Sequence, residues 1–112
     1  MRYDVRAPTT DVYHCHCSMC RKIHGAAFAT LAIAPIKSVV YVKGEDYLTH
    51  SESSDGVSRL FCKICGCRLT IDVAEVPQSR WYTPATLDDS VHPARPRTND
   101  ITLSAQCLTG CS

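Results

Sequence analysis

The sequence predicts a small, mainly β protein built from short antiparallel strands and hairpins. Short runs rich in β-branched and aromatic residues alternate with polar turns, and no stretch keeps a helical period for long. The Asp55-Gly56 pair between two such runs is typical of a hairpin, because both residues tolerate positive φ. With 112 residues, the chain has the size of one domain.

Six segments are predicted as strands, and the last part of the chain is not. A short helical turn after Cys20 is compatible with the pattern. The stretch after Ser90 is rich in Pro, Ser, Thr and Asn, so we expect a domain over residues 1–94 and a flexible tail over residues 95–112. The predicted strands are residues 3–5, 26–33, 39–42, 47–51, 57–61 and 69–73.

Composition excludes several classes of protein. Hydrophobic residues make up 45% and charged residues 21%, which is ordinary for a globular domain. A formal charge of +1 argues against a nucleic-acid groove. No apolar run reaches the roughly 20 residues of a membrane span, and the first residues lack the apolar stretch of an export signal. We therefore expect a cytoplasmic protein without membrane or nucleic-acid partners.

Cysteine is the anomaly of the composition. There are eight, and six of them form two tight groups, residues 15–20 and residues 62–67. A disulfide framework is the alternative, but it would spread its cysteines along the chain and need an oxidising compartment. Grouped thiols in a reducing compartment indicate metal sites.

The first group predicts one metal bound by three thiolates. Cys15 and Cys17 lie two residues apart, so on an extended backbone their side chains point to the same side. Cys20 follows at the spacing at which a tight turn brings another thiol to the metal. Zinc prefers four ligands, and an exchangeable fourth position would suit a thiol substrate.

Several neighbours are candidates for supporting roles. Arg21 and Lys22 could stabilise the thiolates or hold a substrate carboxylate, although both could equally be solvated surface cations. The fourth ligand could be His14 or His24. His16 would point away from its neighbouring cysteines on an extended backbone and is a poor candidate.

The second group predicts half of a structural zinc site. Cys62 and Cys65 bracket a turn in which Gly66 takes the unusual backbone angle, as in a zinc knuckle. Such a site needs further ligands. The remaining cysteines are open as ligands or free thiols: Cys67, for which we favour a free thiol, and Cys107 and Cys111 in the expected tail.

These motifs resemble the glutathione-dependent formaldehyde-activating enzyme family, which includes centromere protein V. The resemblance covers residues 1–93. It is carried by His14-Cys-His-Cys-Ser-Met-Cys-Arg-Lys22 with Gly25, by Phe61-Cys-Lys-Ile-Cys-Gly66 with Leu69, and by Trp81, Leu87-Asp88-Asp89 and His92-Pro93.

The resemblance implies a β-tent fold with two Zn²⁺ sites. It implies that Cys15, Cys17 and Cys20 hold a zinc that takes part in chemistry. Cys62 and Cys65 would hold a structural zinc together with a Cys-x-Cys-Gly pair near the N-terminus. That pair would precede Arg2 and is absent here, so we expect an N-terminally truncated member whose second zinc is weakened.

The function that this implies is that of a zinc-dependent carbon–sulfur lyase acting on a thiol adduct of the glutathione type, with glutathione and formaldehyde as the family's substrates. The alternative is a non-catalytic zinc module that binds a protein or nucleic-acid partner. No residue stands out as the general acid or base; Asp88, Asp89 and His24 are candidates by residue type only.

Overall fold

The structure, a computed structural model, describes residues 1–7, 12–88 and 103–106, the last four as backbone only. Its strands are mostly short and pair antiparallel, as the sequence predicts. A seven-residue α-helix is the one α-helix in these ranges. In chain order the elements are β1 (Arg2–Val5), β2 (Val12–Cys15), α1 (Ser18–His24), β3 (Ala29–Pro35), β4 (Val39–Lys43), β5 (Leu48–Ser54), β6 (Val57–Cys62), β7 (Arg68–Val73), β8 (Ser79–Tyr82) and β9 (Leu103–Gln106).

The strands form two sheets. Six strands make the larger sheet in the order β2-β3-β8-β7-β6-β5, and three make the smaller one in the order β4-β1-β9. All six predicted strands are present with shifted ends, and the mainly β fold class is confirmed. The Asp55-Gly56 turn joins β5 to β6, with Gly56 at φ 76° and its amide donating to the Glu52 carboxylate at 3.1 Å.

Three strands were not predicted. β2 ends inside the first cysteine group and pairs with β3, while β8 lies between β3 and β7. β8 carries Arg80, whose guanidinium donates to both oxygens of Asp72 on β7, at 2.7 and 3.0 Å. This ion pair stabilises a charged residue within the sheet, and the local sequence pattern around Arg80 does not predict it.

The third unpredicted strand, β9, lies in the segment that we expected to be a flexible tail, and that expectation stays a prediction. Leu103–Gln106 pairs with β1, whose edge offers it backbone donors and acceptors. The other residues after position 88 lie outside the described ranges, and so do Asp89, Cys107 and Cys111. No helix in the described ranges has the length and apolarity that crossing a membrane requires.

The main core joins the two sheets. Tyr3 and Val5 of β1 are fully buried and pack with Leu69 of β7 and Tyr82 of β8. The Tyr3 hydroxyl forms a hydrogen bond with the Thr86 hydroxyl. A smaller cluster holds α1 against the larger sheet and consists of Cys20, Ala29, Leu31 and Ile71.

Replacing Tyr3 with phenylalanine should lower the free energy of unfolding by about 1 kcal/mol, because the hydrogen bond between the Tyr3 and Thr86 hydroxyls is lost while the ring still fills the core. Urea unfolding would measure this. Tyr47→Phe is the matched control, since Tyr47 is 46% exposed. Equal stability of the two variants would contradict a structural role for the Tyr3 hydroxyl.

Candidate metal centre

Three cysteines lie close together at the junction between β2 and α1. Cys15 is the last residue of β2, Cys17 is the N-cap of α1, and Cys20 lies in its first turn. Sγ of Cys17 accepts a hydrogen bond from the backbone amide of Cys20 at 3.3 Å, in the way that an oxygen usually caps a helix. Gly25, at φ 59°, ends the helix in the left-handed region.

The three sulfurs have the spacing of a metal site. All lie within 4.8 Å of one another, and Sγ of Cys15 is 3.5 Å from Sγ of Cys17. Tetrahedral zinc with Zn–S bonds of about 2.3 Å separates its sulfurs by about 3.8 Å. The three thiols therefore fit one thiophilic metal ion with little movement, and no histidine or carboxylate of the described residues joins them.

The three thiols differ in exposure and in acidity. Cys17 is exposed, and its hydrogen bond from the Cys20 backbone lowers the pKa of its thiol to about 7. Burial raises the pKa of the Cys20 thiol to about 11, because the thiolate would lose its hydration. A metal at this site would thus be anchored on the protein side by Cys20 and be open to solvent near Cys17.

Arg59 lies at the candidate site and is not among the residues predicted from the sequence. It comes from β6, is 7% exposed, and donates from one terminal nitrogen to Sγ of Cys20 at 3.4 Å. Its Nε donates to the Ser53 hydroxyl at 2.8 Å. The other terminal nitrogen is buried without a hydrogen-bond partner among the described residues. The strand pattern could have identified it. Arg59 lies two residues from both Val57 and Phe61 in a predicted strand, and side chains two residues apart point to the same face.

The cations proposed from sequence lie elsewhere. Arg21 and Lys22 are both exposed, and Nε of Arg21 donates to the backbone carbonyl of His16 at 3.1 Å. Because these side chains lie on the solvent side of α1, the buried charge next to the sulfurs comes from Arg59 instead.

The three candidate histidines are not among the grouped ligand atoms. The rings of His14 and His16 lie against Phe28, with centroids 4.4 and 5.1 Å away. His24 ends α1 and lines a separate cavity together with Arg68. Asp88 is exposed and does not line the cavity beside the cysteines.

The second cysteine group forms the predicted turn. Gly66 has φ 76°, and its amide donates to the Cys62 carbonyl at 2.7 Å. Cys62 is a buried free thiol, and Cys67 is a half-buried free thiol whose pKa is raised by burial. A metal on Cys62 and Cys65 stays a prediction, since neither residue belongs to a group of three or more ligand atoms among the described residues.

A cavity of about 550 Å³ adjoins the three-cysteine group, with Trp81 and Leu31 among its walls. Tyr13 meets the Trp81 ring edge to face at a centroid distance of 5.4 Å. The metal position and a space for an organic ligand are thus next to each other.

Comparison with known proteins identifies the class to which this chain belongs. The family model of the glutathione-dependent formaldehyde-activating enzyme matches residues 1–104, and the chain is a member of that family. Among solved structures, a crystal structure of a Rhodobacter sphaeroides protein is similar, with a TM-score of 0.65 and 22% sequence identity. The similarity covers 79% of this chain and 81% of the other, and it concerns the fold.

Replacing Arg59 with methionine should weaken Zn²⁺ binding by about tenfold to a hundredfold, because a hydrogen bond to a charged group contributes about 1.5–3 kcal/mol. Three thiolates and one zinc ion sum to a net negative charge, which the guanidinium offsets inside the protein. Competition with a chromophoric chelator would measure the affinity.

Two controls accompany this measurement. Arg59→Lys retains the charge and should lose less affinity, and Arg21→Met removes an exposed cation and should change little. Equal affinities of Arg59→Met and Arg21→Met, with both variants folded, would rule out this role of Arg59.

His24 should make the protein less stable in acid. Burial lowers the pKa of His24 below its ordinary 6.5, and Arg59 and Arg68 add to the effect. Below pH 6.5 the unfolded chain therefore binds more protons than the folded one, so stability is lost as pH falls through that range. His24→Gln should show a smaller fall in Tm between about pH 7.5 and 5 than the parent protein.

The exposed His50 offers the matched control for this measurement. His50→Gln should follow the parent protein's pH profile. A His24→Gln profile identical to that of His50→Gln would show that His24 titrates equally in the folded and unfolded states.

Proposed function

We propose that the protein is a zinc-dependent carbon–sulfur lyase that acts on a thiol adduct, with the reversible joining of glutathione and formaldehyde as the reaction to test first. The convergence of three free thiols on one small volume is the observation that carries this proposal. Membership of the formaldehyde-activating family supports the choice of reaction. Zinc is proposed because thiolates in tetrahedral spacing suit it.

In this proposal the three cysteines and Arg59 have different roles. Cys15, Cys17 and Cys20 hold the ion, which when bound supplies Lewis acidity and stabilises a substrate thiolate. Arg59 keeps negative charge stable on the buried side, next to Cys20. Because Cys17 is exposed, solvent and substrate would reach an ion held by the three thiolates from that side. The cytoplasm would suit such a site, because it keeps thiols reduced.

The bond changes balance without a further reactant. In the direction of joining, the glutathione sulfur attacks the formaldehyde carbon, a C–S bond forms, and the carbonyl π pair moves to the oxygen. That oxygen takes the proton that the thiol has lost, which gives S-hydroxymethylglutathione. Lysis is the reverse.

The test measures exchange between formaldehyde, glutathione and S-hydroxymethylglutathione by NMR, with the zinc-loaded protein, the metal-free protein and a Cys17→Ser variant. The zinc-loaded protein should exceed the uncatalysed rate. In the other two samples this excess rate should be at least about tenfold smaller, because the metal or one of its ligands is missing. Cys67→Ser is the matched control, because Cys67 is a free thiol outside the metal-binding group. Rates equal to the uncatalysed rate in every sample would refute the proposal.

A further inference from the structure

The cavity beside the three cysteines is large enough for an organic ligand and opens next to the candidate metal position. Its volume is about 550 Å³, which is in the range of sites for small organic ligands. Cys15, Cys17 and Cys20 line one part of it, so a molecule whose sulfur occupied the fourth metal position would extend into this space. What lines the rest of the cavity therefore bears on which thiol adducts fit.

The other walls are largely apolar. Leu31 and Ile71, each 7% exposed, come from two strands of the larger sheet and also pack against Cys20 in the smaller core cluster. Val57 and Val73 are cross-strand partners on β6 and β7, and both line the cavity. The indole of Trp81 provides a flat aromatic surface beside them.

The cavity offers little to a charged ligand. Arg59 is the one Lys or Arg among its described lining residues, and two of its nitrogens already donate to Cys20 and Ser53. Its third nitrogen is buried beneath the surface. The other polar side chains of the lining, those of Tyr13, His14 and Ser54, are exposed. Glutathione carries two carboxylates, and a carboxylate placed against the apolar walls, away from those exposed side chains, would lose hydration without gaining a partner.

We infer that the cavity binds an apolar group of aromatic size, so that the adducts preferred by this site carry such a group on their thiol half or on their aldehyde half. This inference rests on the proposed lyase function. An aromatic ring would bury apolar surface against the valine pair and stack on or meet the edge of Trp81. A glutathione moiety, where the adduct has one, would keep its carboxylates in solvent.

The bond changes are those of the proposed reaction. In a hemithioacetal the C–S bond breaks and its electron pair stays on sulfur. The hydroxyl oxygen releases its proton and forms the carbonyl bond, and the sulfur takes up a proton. The products are an aldehyde and a thiol, and no oxidant or reductant is needed.

Binding is tested first, because it does not depend on turnover. Trp81 is the single tryptophan of the chain and lines the cavity, so its fluorescence reports occupancy. Benzyl mercaptan and glutathione are titrated separately into the protein, with and without Zn²⁺. Benzyl mercaptan should perturb the fluorescence at a concentration at least about tenfold lower than glutathione.

A pair of isosteric substitutions tests the apolar wall. Combining Val57→Thr with Val73→Thr keeps the shape but replaces one methyl group of each valine by a hydroxyl, and it should weaken the binding of benzyl mercaptan about tenfold. The matched control is Val40→Thr combined with Val42→Thr on β4, which is not part of the cavity. This control should leave the titration unchanged.

Turnover then identifies which half of the adduct carries the apolar group. The zinc-loaded protein is given S-hydroxymethylglutathione, the formaldehyde adduct of benzyl mercaptan, and the glutathione adduct of phenylglyoxal. One of the two aromatic adducts should exceed S-hydroxymethylglutathione in kcat/KM by about tenfold or more. The better one assigns the thiol half or the aldehyde half to the cavity.

The outcomes separate this inference from the proposed function. Equal titrations by glutathione and benzyl mercaptan, or a valine pair variant that binds like its control, would overturn the inference even if S-hydroxymethylglutathione is turned over. Benzyl mercaptan could instead bind selectively, with weaker binding in the valine pair variant, while no adduct is turned over. That result would refute the lyase function and support the apolar ligand class.

Discussion

The hydrogen bond from the backbone amide of Cys20 to Sγ of Cys17 ties the helix start to the candidate metal site. A helix leaves its first amides without intrahelical partners, and here a cysteine sulfur takes the place that a serine or aspartate oxygen usually has. The same bond brings the sulfur of Cys17 toward those of Cys15 and Cys20. Because α1 has only seven residues, its position depends on this cap and on the packing of Cys20 against the larger sheet.

Burial gives the site two different sides. On the protein side, Cys20 lies within a small apolar cluster, where an isolated thiolate would be unfavourable, and the guanidinium of Arg59 offsets that cost. On the other side, Cys17 is exposed and the apolar cavity opens beside it. An ion held here would be supported from one direction and approached from the other. That asymmetry is the arrangement expected of a metal that exchanges a ligand, whereas a structural site is closed by protein on all sides.

The two cysteine groups have different environments although their sequences look alike. The first has three free thiols in one small volume. The second has the knuckle turn at Gly66, but Cys62 is buried and no third ligand atom joins it among the described residues. A cysteine spacing therefore establishes the turn, while the remaining ligands establish whether a metal can bind. The membership of the chain in the formaldehyde-activating family does not by itself supply the second metal.

The sequence alone determined the mainly β class, the hairpin at Asp55-Gly56, the family and the grouping of Cys15, Cys17 and Cys20, because each follows from contacts between residues close in the chain or from a motif. The tertiary structure alone decided what surrounds that group. Arg59, Trp81 and the valine pair come from strands far along the chain, and they reach the cysteines only because β6, β7, β8 and β3 are neighbours in one sheet. Strand order and the depth of burial are properties of the packed sheets, so the local periodicity of the sequence does not predict them.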